Sequence, residues 1–416
     1  MTAYSPDLSD FAGRLGQNPI RKIMVQVMNT PGCISLGGGR PVFETFSPSV
    51  QALGPALSNY GIANSGGEPG LRAWVKKLMQ KLHDPQGGWE GRDVWLTSGN
   101  TDGMNKAVML LSNPGDVVVT DKFTYPGILT ACRAHDRHTV GVEMDDKGMI
   151  PERLEDVLKG NLPGKPRMIY VVTHGQNPTG CTMDPERVRK IYEIARAHNL
   201  AILEDDPYCF MDLEGDNPSA QSADDMPGMV SLHSFLSIDE DRRVVRLDSV
   251  SKFIAPGFRV GWVTAHTAVV EKWSVASEVV TWGLSGFQHT ELMKLFEELG
   301  EDGLHKHLQF LQFEYRQRRD RLVQAFNEKL SGVGEWNVPR YGMFLWFRGQ
   351  DLEDAEPIAE KLVAENLVAM IPGSGFAAEP SVSPYFRVSF TSIATTEIAT
   401  QAAERLLAGL SIAGSR

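Results

Sequence analysis

The run Asp248-Ser249-Val250-Ser251-Lys252-Phe253-Ile254-Ala255-Pro256-Gly257-Phe258-Arg259-Val260-Gly261-Trp262 sets one lysine among hydroxyls, small residues and an arginine. Lys252 can condense with an aldehyde as a Schiff base, while Ser249, Ser251 and Arg259 offer donors and positive charge to a phosphate dianion. The chemistry that fits this set is capture of a phosphorylated aldehyde. A bare Ser-x-Ser-Lys is commonplace and its lysine is usually solvated, so other parts of the chain must supply the remaining groups.

Five other places offer such groups, each with a plainer alternative. Asp205-Asp206-Pro207-Tyr208 follows an apolar run; it is either a loop or the source of a carboxylate placed to act on a bound group. Gln176-Asn177-Pro178-Thr179-Gly180 has the composition of a turn. In Ser98-Gly99-Asn100-Thr101-Asp102-Gly103, helix N-terminal N–H groups can receive a phosphate. The alternative is an ordinary N-cap by Thr101 or Asp102. The segment is not a Walker loop, because no Gly-Lys-Ser/Thr follows. Tyr125, beside Pro126-Gly127, is a loop anchor or an aromatic face for a ring. Arg387 stands between Phe386 and Val388, where a guanidinium needs either a structural salt bridge or a carboxylate to grip with two hydrogen bonds. Gly38 and Gly39 would let backbone approach a substrate. His305 and His307 read as solvated residues of a charged helix and suggest no metal.

These residues fall at regular places in the chain. Between about residues 90 and 265, short β-rich runs alternate with helical patterns such as Glu186 to His198. The runs are Val94 to Thr97, Val117 to Thr120, Met168 to Val172, Ala201 to Glu204 and Val244 to Leu247. Near-continuous apolar strands between amphipathic helices predict an α/β fold with a mainly parallel sheet. Asn100, Tyr125, Asn177, Asp205 and Lys252 each follow one of these runs, at the carboxyl ends where ligands of such sheets collect. After Trp262 the texture turns helical, with a long pattern from about Leu304 to Leu330. A smaller α+β domain is expected next, with strands Gly342 to Phe347 and Tyr385 to Phe390 and helices Ala355 to Glu365 and Thr396 to Leu410. The expected division is an N-terminal arm and part of the small domain at 1–46, a large domain at 47–300, and an interdomain helix with the small C-terminal domain at 301–416.

Composition narrows the class. The 416 residues carry a net charge of -11, which argues against a broad nucleic-acid footprint. No apolar run approaches a membrane span. Cys33, Cys132, Cys181 and Cys209 are too dispersed for a zinc site or a disulfide framework. Asp7 and Asp10 interrupt the start, so no secretory signal is read and a cytoplasmic protein is expected.

Taken with Asn18-Pro19-Ile20-Arg21-Lys22, Glu204-Asp205-Asp206-Pro207-Tyr208 and Gly342-Met343-Phe344-Leu345-Trp346, the lysine run resembles the class I/II aminotransferases, pyridoxal 5'-phosphate (PLP) enzymes of fold type I. Within them it is most similar to the aromatic and 2-aminoadipate (kynurenine-type) aminotransferases. The resemblance implies that Lys252 is the PLP lysine and that Asp205, three before Tyr208, faces the ring nitrogen. It implies that Asn177 and Tyr208 bind the phenolic oxygen and that Tyr125 stacks on the ring. Asn100, Thr101, Ser249, Ser251 and Arg259 would hold the phosphate. Tyr60 would reach the phosphate of a neighbouring subunit, in a homodimer with shared active sites. Arg387 would take the substrate α-carboxylate, with Asn177, Gly39 and Arg21 beside the substrate. Ser98-Gly99-Asn100-Thr101-Asp102 departs from the Ser-Gln-Gln of related chains. The implied reaction is ping-pong transfer of an amino group from a large-side-chain amino acid to a 2-oxo acid such as 2-oxoglutarate. The alternative is another PLP reaction, such as β-elimination, decarboxylation or condensation.

Overall fold

The computed structural model describes residues 4–15, 47–48, 67–215, 221–281, 283–366 and 368–413. Its strands are, in chain order, β1 (Arg92–Thr97), β2 (Val117–Asp121), β3 (His138–Val142), β4 (Met144–Asp145), β5 (Gly148–Met149), β6 (Pro166–Val171) and β7 (Ala201–Asp205). There follow β8 (Val244–Ser249), β9 (Gly261–His266), β10 (Gly334–Trp336), β11 (Phe344–Gly349), β12 (Ile371–Pro372) and β13 (Tyr385–Ser389). The chain forms two compact units. One comprises Met1–Pro114, Ala201–Pro207 and Ser231–Gly303; the other comprises Gly115–Leu200, Tyr208–Val230 and Leu304–Arg416.

In the first unit β7 and β8 run parallel, while β9 pairs antiparallel with both β8 and β1. All six residues of β8 are buried, as expected of a strand covered on both faces. The pairing Ser249↔Gly261 closes β8 onto β9, and the Val250 N–H donates to the Val260 carbonyl at 3.2 Å. The connection held by that bond contains Lys252. Thr97 also pairs with Gly261, which brings Ser98 and Gly99 to the same end before the helix Asn100–Leu111 begins. The ends of β1, β7 and β8 thus place Asn100, Asp205 and the lysine turn. β9 was not expected: the segment after Trp262 was read as helical, yet helix starts only at Thr267. Val263, Thr264 and Ala265 are all buried, so a fully covered strand lacks the alternation that would have marked it.

In the second unit β2 pairs parallel with β3 and β6, and the helices Pro126–Ala134, Pro151–Lys159 and Pro185–Ala197 alternate with strands. The last of these helices has proline at its first turn and Asp184 as N-cap, its carboxylate accepting the Arg187 N–H at 2.8 Å. A separate antiparallel sheet, ordered β10-β11-β13-β12, carries the expected α+β part. The expected helices appear as Glu356–Asn366 and Thr396–Ala413, and the Leu304 to Leu330 pattern is helical to Lys329. Strand alternation divides this sheet chemically. Leu345, Phe347, Phe386 and Val388 enter the hydrophobic core with Leu362, Ala399, Ala403 and Leu406. Arg387 pairs with Trp346 in register, on the opposite face. The α/β class, the mainly parallel pairing of the central strands and the smaller α+β section all hold.

Candidate active site

Two groups of predicted residues assemble, each within one unit. In the first, the Lys252 turn is pinned by its neighbours. The Ile254 and Ala255 N–H groups donate to the Val250 carbonyl at 2.9 and 3.2 Å, and the Ser251 N–H donates to the Ser249 hydroxyl at 3.1 Å. The two hydroxyls lie 2.9 Å apart. Arg259 is exposed and adopts a left-handed conformation (φ 51°). Its Nη2 donates to the Ser98 carbonyl at 3.2 Å. Its guanidinium lies over Gly99, where a Cβ would come within 2.9 Å of Nη2 and the φ of +82° is unfavourable to any side chain.

Gly99 is also the N-cap of the helix Asn100–Leu111, and it gives no side-chain cap. This corrects the alternative in which Thr101 or Asp102 caps the helix. The Asp102 carboxylate instead accepts the Ser98 N–H at 3.1 Å and pairs with the buried Lys106 at 2.6 Å. Lys106, four residues on, offsets the Asp102 charge, which alone would repel a nearby dianion; the i,i+4 spacing was the available signal. An uncapped helix N-terminus, a guanidinium over a glycine and two hydroxyls form a cradle for an anion. The residues present fit the phosphate of PLP.

Asp205 ends β7 and is buried. Its Oδ1 accepts from Asn100 Nδ2 at 2.6 Å, and the same amide reaches the Leu247 carbonyl at 3.3 Å. The structure therefore places the Asn100 side chain on the acid. The acids flanking Asp205 are held by the fully buried Arg246. Its guanidinium meets Glu204 and Asp206 at 3.1 Å and clasps Asp248 at 2.8 Å. Glu204 further accepts the N–H groups of Phe235 and Leu236 at 3.0 and 3.2 Å. Burial pushes the Asp248 carboxyl up to about 7, against the opposing pull of Arg246. Of the two adjacent acids, Asp206 is thus tied into an ion cluster, whereas Asp205 carries the neutral amide partner. Sequence reading missed Arg246, since nothing local distinguishes it from an edge residue.

In the second group, Arg387 Nη1 donates to Asn177 Oδ1 at 3.0 Å. Its guanidinium lies over the rings of Phe344 and Phe376, 4.3 and 5.0 Å from their centroids. Nε is buried and has no hydrogen-bond partner. Among the described residues no carboxylate lies within ion-pair distance of Arg387, so the structural salt bridge is not what the fold provides. Burial works against its charge, while the phenols of Tyr208 and Tyr125 favour it. Tyr208 is buried edge-on to Phe344 at 5.8 Å. The Tyr125 ring lies across Gly127, where a Cβ would come within 2.2 Å of it. Trp346 stacks on Tyr385 at 5.1 Å and tilts against Phe123 at 5.4 Å, giving the Arg387 face an aromatic lining.

Tyr60, Gly38, Gly39, Arg21 and Ile20 lie outside the described residues, as do Cys33 and most of the expected N-terminal arm. His305 corrects the reading of a solvated histidine: it is half-buried, and its Nδ1 accepts the Met229 N–H at 3.1 Å. Among the described residues there is no metal-binding group of side chains, and no helix is long and apolar enough to cross a membrane.

Asp121, at the end of β2, is fully buried and its carboxyl is pushed up to about 7 from 3.8, chiefly by desolvation. The folded chain keeps this proton below about pH 7 and the unfolded chain only below about pH 4, so the stability it contributes is complete at low pH and lost as pH rises through 7. Asp239 and Asp248, raised to about 6 and about 7, act with the same sign. Asp121→Asn is therefore expected to flatten, without abolishing, the fall in urea midpoint between pH 4.5 and 7.5. An unchanged slope would mean that Asp121 ionises normally.

The family model for aminotransferase class I and II matches residues 31–406. The chain is 34% identical over 373 residues to the mitochondrial kynurenine/alpha-aminoadipate aminotransferase of Bos taurus, covering 86% of this chain and 83% of that one. It is 35% identical over 343 residues to an aromatic amino acid aminotransferase of Schizosaccharomyces pombe, covering 77% and 71%. Among solved structures, the aminotransferase Aro8 from Candida albicans superposes with a TM-score of 0.85 at 25% identity, covering 99% of each chain. The Pyrococcus horikoshii kynurenine aminotransferase, solved with PMP, gives 0.78 at 26% identity over 98% of each.

Proposed function

The chain belongs to the class I and II aminotransferases, PLP enzymes of ping-pong mechanism, and from that membership we propose that it acts on amino acids with aromatic or otherwise large side chains, or on 2-aminoadipate, with a 2-oxo acid such as 2-oxoglutarate as acceptor. The reading is supported by the relatives' names and by the aromatic lining around Arg387.

When bound, PLP supplies a carbonyl that captures the amino group and a ring that withdraws the electrons released at the substrate Cα. Ser249, Ser251, Arg259 and the helix N–H groups at Asn100 and Thr101 hold its phosphate. Asp205, oriented by Asn100, would keep a proton on the ring nitrogen. Asn177 and Tyr208 would hydrogen-bond the phenolic oxygen of PLP, and Tyr125 would pack against its ring. Arg387 grips the substrate α-carboxylate. The ε-amine of Lys252 would take the proton from the substrate Cα and return it two atoms away, across the amino nitrogen. Tyr60, Gly39 and Arg21 keep the roles the resemblance implies, Tyr60 toward a second subunit of a homodimer. The buried thiols of Cys132, Cys181 and Cys209 suit a reducing compartment, for which we propose the cytoplasm.

The observation that carries the substrate class is the Arg387 guanidinium, set among phenyl rings with Nε unpaired. A bidentate carboxylate would satisfy it. Arg387→Ala is expected to raise the apparent KM for α-amino acids on the order of 100-fold, the worth of two charged hydrogen bonds, with PLP retention little changed. Equal damage to both would mark a structural arginine. A panel of amino donors and 2-oxo acceptors with product identification names the substrates, and lyase or decarboxylase products would replace the transaminase reading.

A further inference from the structure

Gln176 is fully buried, and its amide uses every hydrogen-bonding position it has. Nε2 donates to the Phe123 carbonyl at 2.6 Å and to Asp121 Oδ2 at 3.2 Å. Oε1 accepts from the Thr179 N–H at 2.9 Å and from the Thr179 hydroxyl at 2.7 Å. The main chain of the same residue closes the turn from the other side: its N–H donates to the Cys181 carbonyl at 2.8 Å, and its carbonyl accepts from the Gly180 N–H at 2.6 Å. Reversing the amide would set an NH2 group against the Thr179 N–H, so only one orientation fits.

These bonds join two loops that carry different site residues. Phe123 lies two residues before Tyr125, and Gln176 immediately precedes Asn177, whose side chain holds Arg387. We propose that Gln176 is a positioning residue which locks the Asn177 turn and the Tyr125 loop into one arrangement through a single side chain, and so sets the aim of Arg387 at a substrate carboxylate. Removing it leaves a part-buried carbonyl at Phe123 and a buried N–H at Thr179 without their side-chain partner, and both loops are then free to shift. The proposal rests on the roles given above to Asn177, Tyr125 and Arg387.

The test compares the PLP-saturated wild type with Gln176→Met, which keeps the length of the side chain and loses all four bonds, and with Thr179→Val, which keeps three of them and loses the hydroxyl's bond to Gln176 Oε1 together with its contacts to the Cys181 N–H and thiol. Three quantities are read: the pH midpoint of the bound cofactor's visible absorption, KM and kcat for an amino acid, and the Tm of the cofactor-free chain. Gln176→Met is expected to move the absorption midpoint up by roughly one unit, as Asn177 loosens. It is also expected to lower kcat/KM about 100-fold, with KM rising, as fits a misplacement near 1 Å. Thr179→Val should shift both in the same direction by less. A lowered Tm with unchanged midpoint and KM would reduce Gln176 to packing and overturn the proposal; should Gln176→Met fail to fold, Thr179→Val decides in the same terms. A wild type with no visible band would defeat the cofactor reading and the proposal together, whereas a normal wild-type band with unaltered variants defeats the proposal alone.

Discussion

Replacing Lys252 by alanine is expected to abolish transamination, with a loss on the order of 10⁴-fold or more in kcat, while the chain stays folded. The turn around Lys252 is closed by bonds that alanine leaves intact, from Ile254 and Ala255 to the Val250 carbonyl, from Val250 to Val260 and from Ser251 to Ser249. The phosphate cradle of Arg259, Gly99 and the two serines is likewise untouched. The variant should therefore keep the wild-type Tm within a few degrees and still bind PLP by equilibrium dialysis. A variant that turns over amino acids at the wild-type rate would remove Lys252 from the chemistry; one that unfolds would give it a structural part.

Asp205→Ala comes second, with an expected loss of about 10³-fold in kcat, the scale reached when one preorganised charge-stabilising group is removed. A carboxylate at the ring nitrogen keeps that nitrogen protonated, and only the protonated ring draws electrons efficiently from Cα. Asp205 is suited to this because it is buried and accepts a hydrogen bond from the neutral Asn100 amide, while Glu204 and Asp206 on either side are engaged by Arg246. The contrast with Asp206→Asn is the informative control. That variant loosens a buried ion cluster, so it should lower the urea midpoint and leave kcat within a few-fold. The reverse pattern, with Asp206 controlling kcat and Asp205 controlling stability, would exchange the two assignments.

Much of this architecture was legible before any coordinates. The apolar runs became β1, β2, β6, β7 and β8, and the residue types after them point to PLP chemistry without reference to packing. Arg387 shows what the sequence left open. Its apolar neighbours suggested burial with a partner, but strand alternation sends Phe386 and Val388 into the core and sets Arg387 among Phe344 and Phe376. Which amide meets which acid was not legible. Asn100 and Asp205 are 105 residues apart, and Asn177 and Arg387 are 210 apart, so each pairing is made by strand order rather than by any local pattern. Asp102 pairs with Lys106, a partner that their i,i+4 spacing on one helix face already offers. β9 and the bond from Met229 to His305 left no periodic trace at all.

The central claim is that the ε-amino group of Lys252 carries the cofactor. Borohydride reduction of PLP-saturated protein, followed by peptide mapping, tests it most directly. The account predicts one pyridoxyl group per chain, on the peptide containing Ser251-Lys252-Phe253. Label on a different lysine, or a Lys252 peptide recovered unmodified from saturated protein, would contradict it.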